Sequence, residues 1–256
     1  MTTESSSIQY SVAPELTRVQ HELRRRTLQV TAVTQLTPHM RRLTLAGPEL
    51  SGFTSLSPDD HIKVFLPGLD GQVDRRDYTP RRFDGQQGEL VLDFVVHEGG
   101  PATTWALEAK PGDTLVIGGP RGSQCCPASL KRWLLVGDET ALPAVGRRIE
   151  EAGADQEITA VLLVPSAADE QHFETAAELT SHWIHRPLAQ AGSAAGPISV
   201  LATLALQPDT FVWVAGETRM VKAVRSYLMA ERHVPKGWIK AAGYWKQGTA
   251  DSSERL

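Results

Sequence analysis

The stretch ELVLDFVVH, residues 89–97, alternates: Leu90, Leu92, Phe94 and Val96 share one side of an extended chain, Asp93 and His97 the other. Period-two alternation marks a half-buried β-strand. Its neighbours read the same way. TLQVTAVTQLTP (27–38), HMRRLTLAG (39–47), HIKVFLPG (61–68) and DTLVIGGP (113–120) are rich in β-branched and apolar residues and bounded by Gly, Pro or Asp. Short strands between turn signals predict an antiparallel barrel or sandwich. GPATTWALEA (100–109) interrupts them as a short helix. Upstream, ELTRVQHELRRR (15–26) is expected to begin with a short helix. Residues 1–14, Ser/Thr-rich and poor in apolar groups, are expected to be disordered.

From about residue 131 the texture changes. RWLLVG (132–137), ITAVLLV (158–164) and FVWVAG (211–216) are continuous apolar runs, which suit parallel strands buried on both faces. Between them, Leu142, Val145 and Ile149 recur at helical spacing, as do Val221, Val224 and Leu228. Strand, helix, strand repeated predicts an α/β unit with a parallel sheet. The expected fold class is a β domain, residues 15–127, followed by an α/β domain, residues 128–256, joined near SQCCPASLK (123–131).

Composition narrows the function. The chain of 256 residues is 41% hydrophobic and carries a formal charge of −4. No global field attracts nucleic acid or anionic lipid, so an anion must be held by a local patch. The N-terminus lacks an apolar signal region and no apolar run reaches membrane-spanning length, so a cytoplasmic location is expected. The two cysteines, Cys125 and Cys126, are adjacent; a bridge between neighbours strains disulfide geometry, so two reduced thiols are expected. Neither they nor the eight histidines show metal-ligand spacing, and no metal site is expected. There is no P-loop, G-x-G-x-x-G, H-E-x-x-H or G-x-S-x-G.

Four segments carry candidate chemistry. In RRDYTPRRF (75–83), Arg76, Tyr78 and Pro80 alternate with Asp77, Thr79 and Arg81. Pro80 argues for a strand end or edge. A ring beside a guanidinium suits a flat aromatic cofactor joined to phosphate; a solvated basic edge strand would carry the same residues. HEGGPATTW (97–105) leads from a strand through two glycines into a helix, whose first N–H groups can cradle an anion, with Thr103 and Thr104 adding hydroxyls. An ordinary strand-to-helix turn is the alternative. LLVGDETALPAV (134–145) places Asp138, Glu139 and Thr140 at a strand's carboxyl end, where α/β sheets bind ligands. The two acids could equally cap the helix. Gly216 and Glu217 repeat that strand-end pattern. AAGYWKQG (241–248) sets Lys246 directly after Tyr244 and Trp245, two aromatics that would usually serve packing.

With these residues in view, the chain resembles the siderophore-interacting proteins, FAD-containing ferric-siderophore reductases of the ferredoxin-reductase superfamily. The resemblance rests on LTPHMRRLTLAG, DDHIKVFLP, RDYTPR, DFVVHEGGPATTWA, PGDTLVIGGPRGS, VGDETALPA, VAGE and GYWKQG, in order over residues 27–248. It implies a six-stranded antiparallel Greek-key barrel that binds FAD, followed by a nicotinamide-nucleotide-type α/β domain that takes NADH or NADPH. Arg76, Tyr78, Thr79 and Arg81 would form its R-x-Y-T-x-R flavin motif. Tyr78 would stack on the isoalloxazine, Thr79 bond near its reactive edge and Arg76 hold the pyrophosphate. His97, Gly100, Pro101, Ala102, Thr103, Thr104 and Trp245 would line the rest of FAD. Asp138, Glu139, Thr140, Gly216 and Glu217 would face the nucleotide.

The implied reaction passes electrons through FAD to a ferric siderophore. Hard oxygen donors prefer Fe(III), so reduction loosens the complex. Such substrates are bulky and usually anionic, and Lys63, Arg147, Arg148 and Lys246 are the candidate basic rim. Ferredoxin is an alternative electron donor. Only eight residues follow Gly248, too few for the extra C-terminal helix of ferredoxin-using relatives, which favours a nicotinamide nucleotide. The acidic VPSAADEQ (164–171) points towards NADH. A general flavin or ferredoxin oxidoreductase, and a binding module that sequesters iron chelates without flavin, are the competing readings.

Overall fold

A computed structural model describes residues 9–67, 72–97, 99–249 and 254–256, the side chain of Arg255 excepted. The chain forms two domains, one around an antiparallel sheet and one around a parallel sheet. The first half comprises β1 (Thr17–Gln20), β2 (Arg25–Thr37), β3 (Met40–Ala46), β4 (Ile62–Pro67), β5 (Val73–Tyr78), β6 (Arg82–Asp84), β7 (Glu89–Val95), α1 (Pro101–Glu108), β8 (Thr114–Gly118) and β9 (Gly122–Cys125). Seven of these strands pair in the order β5-β4-β8-β2-β3-β7-β6, every ladder antiparallel. The seventh, β6, is only three residues long. It follows β5 directly, and among the described residues these two edges share no ladder.

The apolar face of the alternating pattern makes the core. Leu28, Leu43, Leu45, Leu90, Leu92, Phe94, Leu115 and Ile117 are buried together. The reading of β7 needs one correction. It is covered on both faces, because Val91 and Asp93 are buried too. Asp93 survives there because the Arg42 guanidinium donates two 2.7 Å hydrogen bonds to its carboxylate. Arg81 Nε lies 3.7 Å from the same carboxylate. A buried carboxylate is tolerated when paired and hydrogen-bonded.

The expected helix near residue 15 is absent. Residues 17–20 are β1, which pairs antiparallel with β9, Thr17 opposite Cys125. The partner strand lies a hundred residues away, so local propensity does not decide the outcome. Residues 1–8 of the segment expected to be disordered lie outside the described residues. Of the rest, the Tyr10 ring packs on Trp238 at 5.6 Å and Ser11 N–H donates to Asp209 at 2.7 Å.

The second half comprises β10 (Arg132–Gly137), α2 (Leu142–Glu150), β11 (Glu157–Val164), β12 (Glu178–His185), α3 (Ala195–Thr203), β13 (Thr210–Glu217), α4 (Thr218–Ala230), β14 (Ile239–Trp245) and β15 (Glu254–Arg255). The sheet order is β12-β11-β10-β13-β14-β15, parallel except for β15. The continuous apolar runs are its central strands, and β13 is buried at all eight positions. Leu142, Val145 and Ile149 of α2 and Val221, Val224 and Leu228 of α4 face this core, as their spacing predicts. The strand order turns about β10, so a crevice opens at the carboxyl ends of β10 and β13. No helix among the described residues is long and apolar enough to cross a membrane.

Replacing Arg42 by Met should leave Asp93 under-paired and cost about 3 kcal/mol of stability, the scale of breaking a buried pair. Urea denaturation of the variant checks this; an unchanged midpoint would contradict it.

Candidate active site

A cavity of about 930 Å³ lies between the two sheets, where the ends of β5 and β7 face the carboxyl ends of β10 and β14. Arg76, Asp77, Tyr78 and Thr79 all line it. Alternation would have sent Asp77 and Thr79 elsewhere, but β5 ends at Tyr78. Pro80, with no N–H to give a ladder, follows at once. The Tyr78 ring rests on Phe94 at 4.2 Å, tilted by 35°. Burial pushes its phenol above the usual tyrosine range, so the ring is neutral at physiological pH. The Arg76 guanidinium is held by the Asp74 carboxylate and donates to the Arg75 carbonyl at 2.8 Å. Asp74 Oδ2 and Asp77 Oδ1 are buried without a hydrogen-bond partner among the described residues.

The glycine-rich bend forms the adjoining wall, with His97 and residues 99–103 lining the cavity. Gly99 and Gly100 have φ of +77° and +103°, conformations that disfavour any side chain. Gly100 caps α1 without a side-chain hydrogen bond, which leaves first-turn N–H groups available to an anion. Thr103 is buried against the cavity. Thr104 is not on this wall; its hydroxyl donates back to the Gly100 carbonyl at 3.2 Å.

The second domain supplies Glu139, Thr140, Pro143 and the run from Ile239 to Lys246. Asp138 is fully buried behind them and does not cap α2, whose N-cap is Ala141. Its carboxylate accepts from Thr140 N–H (2.9 Å), Thr140 Oγ1 (2.6 Å), Glu217 N–H (2.7 Å) and Trp245 Nε1 (2.9 Å). Gly216 packs so closely here that a Cβ would lie 2.6 Å from that carboxyl. Glu217 faces its own helix instead of the cavity, capping α4 through Arg219 and Met220 N–H. Burial raises its pKa, but N–H groups of Gln247, Arg219 and Met220 outweigh that and leave it lowered. Glu139 does line the cavity and pairs with buried Arg186, Nη2 to Oε2 2.8 Å. Burial, reinforced by Asp138, pushes its carboxyl up to about 7.

Several candidates lie outside the cavity. Arg81 is buried, its guanidinium engaging Glu150 of α2 and lying near Asp93. Lys63 pairs with Asp77 at 2.9 Å. Arg147 is buried and donates to Ser55 and to the Pro80 carbonyl across the domain seam. Arg148 sits in a separate cavity beside Cys125 and Cys126, its guanidinium 4.7 Å above the Trp133 ring. Both thiols are free, and burial raises that of Cys126 to about 11. Lys246 and Trp245 line the cavity. Sequence reasoning missed Leu16, Arg18, the Asp59–Lys240 pair (2.6 Å) and Leu256, all on the cavity wall. Leu16 and Arg18 sit in or beside the strand misread as a helix, and DDH (59–61) stood in a quoted motif without a role.

Glu139 binds its proton more tightly folded than unfolded. Its stabilising contribution is complete below about 4.5 and is lost as pH rises through about 7. Denaturation curves between pH 5 and 8 should show the wild type losing stability relative to Glu139→Gln over that window. Parallel pH profiles would refute the assignment.

Known proteins resemble this chain along most of its length. A family model described as "Siderophore-interacting FAD-binding domain" matches residues 29–74 and 70–124, and one described as "Siderophore-interacting protein" matches residues 130–248. The NADPH-dependent ferric-chelate reductase of Escherichia coli (strain K12) is 31% identical, over 89% of this chain and 95% of its own. Ferric vibriobactin reductase ViuB of Vibrio cholerae is 30% identical, over 82% and 85%. The crystal structure of a siderophore utilization protein from T. fusca superposes with a TM-score of 0.83 at 36% identity, covering 93% of this chain and 98% of that one. With both halves matched by its models and relatives at 30% identity or more over most of the chain, the chain belongs to the siderophore-interacting protein family.

Proposed function

We propose that the protein is an FAD-dependent ferric-siderophore reductase that takes electrons from NADH or NADPH and releases Fe(II). The observation that carries this is the pairing of two walls around one cavity: Tyr78 with the uncapped glycine bend on one side, and the strand ends of a parallel sheet on the other. The cavity, about 930 Å³, is at the upper end of cofactor-site volumes, which run to roughly 1,000 Å³. The residues fit FAD: Tyr78 offers a neutral ring, Arg76 a guanidinium shared with Asp74, and Gly99 and Gly100 a close backbone approach for pyrophosphate. Bound there, FAD supplies the exchange between a two-electron hydride donor and one-electron acceptors. Thr79, at the strand end, would orient its reactive edge.

The parts assigned to each residue follow from location. Arg76, Tyr78, Thr79, His97, residues 100–103 and Trp245 would hold FAD. Glu139 and Thr140, beside the β10 strand end, would meet the nicotinamide nucleotide. Arg81 and Thr104 are not needed in the cofactor site, and Asp138, Gly216 and Glu217 would shape the floor without touching ligand. For the anionic iron complex, Lys246 and Arg18 are the better rim. They line the cavity and make no ion pair among the described residues, whereas Lys63 is paired with Asp77 and Arg147 and Arg148 are engaged within the protein. The barrel and domain boundaries expected from sequence, residues 15–127 and 128–256, are retained as our reading, as is a cytoplasmic location.

The expectation of NADH rests on the acidic segment 164–171. Asp169 is buried, bonded to His39 N–H (3.1 Å) and Ser166 Oγ (2.8 Å), and Glu170 pairs with His185 (2.7 Å). Both acids have local partners, and the Escherichia coli relative is named for NADPH, so NADH and NADPH both stand in our reading. Purified protein should be yellow or become so on reconstitution with FAD. Anaerobic NADPH should bleach it, and a ferric siderophore should restore the colour. Tyr78→Ala should weaken FAD binding about tenfold or more, from the lost ring contact. Protein that cannot be reconstituted with FAD overturns the reading.

A further inference from the structure

We propose, resting on the flavin-site reading above, that α2 of the second domain positions the flavin-side segment 78–81, with Arg147 and Glu150 as its positioning residues. Arg147 was expected on the substrate rim, yet only 7% of it is exposed. Its Nη1 donates to Pro80 O (3.1 Å) and Ser55 Oγ (2.8 Å), and its Nη2 to Ser55 O (3.0 Å). Nε donates to Glu151 at 2.6 Å, which fixes the guanidinium on its own helix. Nearly one turn on, Glu150 takes Arg81 in a forked ion pair, one contact at 2.7 Å. Two consecutive residues of the segment are thus gripped by one helix, the first by its carbonyl and the second by its side chain.

Gly146 makes the approach possible. A Cβ there would come within 2.7 Å of Phe173 and 3.0 Å of Arg81 Nη2. On the opposite side, Arg81 N–H donates to Val91 O at 2.9 Å, so the segment is held between β7 and α2. Tyr78 and Thr79 immediately precede this clamp. The other end of α2 presents Pro143 to the cavity, just after Glu139 and Thr140. A nine-residue helix is a rigid rod roughly 13 Å long. It therefore spans from the nucleotide side of the cavity to the strand end that carries Tyr78, and sets the separation of the two walls. Misplacement by about 1 Å is enough to slow a transfer between bound partners a hundredfold.

Hydrogen exchange on the apoprotein reads the clamp directly. In Arg147→Lys and in Glu150→Gln, the Arg81 amide should exchange about tenfold faster or more, while amides of β10 keep their wild-type rates. In the reconstituted proteins, NADPH should bleach the flavin more slowly, and chemically reduced flavin should still be reoxidised by a ferric siderophore at the wild-type rate. Unchanged exchange at Arg81 in both variants overturns the proposal. So does equal acceleration in β10, which marks general destabilisation, and so does equal slowing of bleaching and reoxidation. If the wild type takes up no FAD, the flavin reading fails by itself, and the exchange data still decide whether α2 holds the segment.

Discussion

One buried carboxylate organises the floor of the cavity. Among the described residues Asp138 forms no ion pair; its carboxylate accepts from neutral donors of Thr140, Glu217 and Trp245. An ionised carboxylate out of water costs several kcal/mol unless its lone pairs are filled, so each donor is held firmly in place. Those donors sit at the ends of β10, β13 and β14, and the carboxylate draws the three strand ends together. Thr218 Oγ1, which donates to the Trp245 carbonyl at 2.9 Å, and the Glu217 cap on α4 extend the same knot. Glu139 and Thr140 stand where they do because the residue before them is tied down.

Much of the architecture was legible in the chain. Alternation at residues 89–97 marks an antiparallel strand and unbroken apolar runs at 132–137 and 211–216 mark parallel ones, and that distinguishes the two sheets. The exceptions have physical reasons. Residues 17–20 form a strand only because β9 accepts them, and nothing local encodes that partner. Asp93 read as solvent-facing because a short sequence window does not contain Arg42 or Arg81, which cover it.

The cavity was legible wherever backbone geometry set the role and illegible wherever charge did. Glycines at 99 and 100, a proline at 80 and a tyrosine before it carry their meaning locally. A cation does not. Arg81, Arg147 and Arg148 looked like ligand-binding arginines, and each is committed within the protein. Lys240 drew no notice, yet it meets Asp59 on the cavity wall. Carboxylates claim several of the cations that a sequence window presents as free, Arg81, Arg147 and Lys240 among them. Which of them remain for a ligand is a property of the folded molecule.

The seam at α2 also limits modularity. Arg81 belongs to the first half and its main counter-charge, Glu150, to the second; Ser55 and Pro80 likewise spend their acceptors on Arg147. An isolated first half would leave a guanidinium without its carboxylate and a strand end without its brace. A chimera with a foreign second half would have to reproduce a glycine, an arginine and a glutamate at matching turns of one helix. The two halves are thus separable in topology but not interchangeable as building blocks.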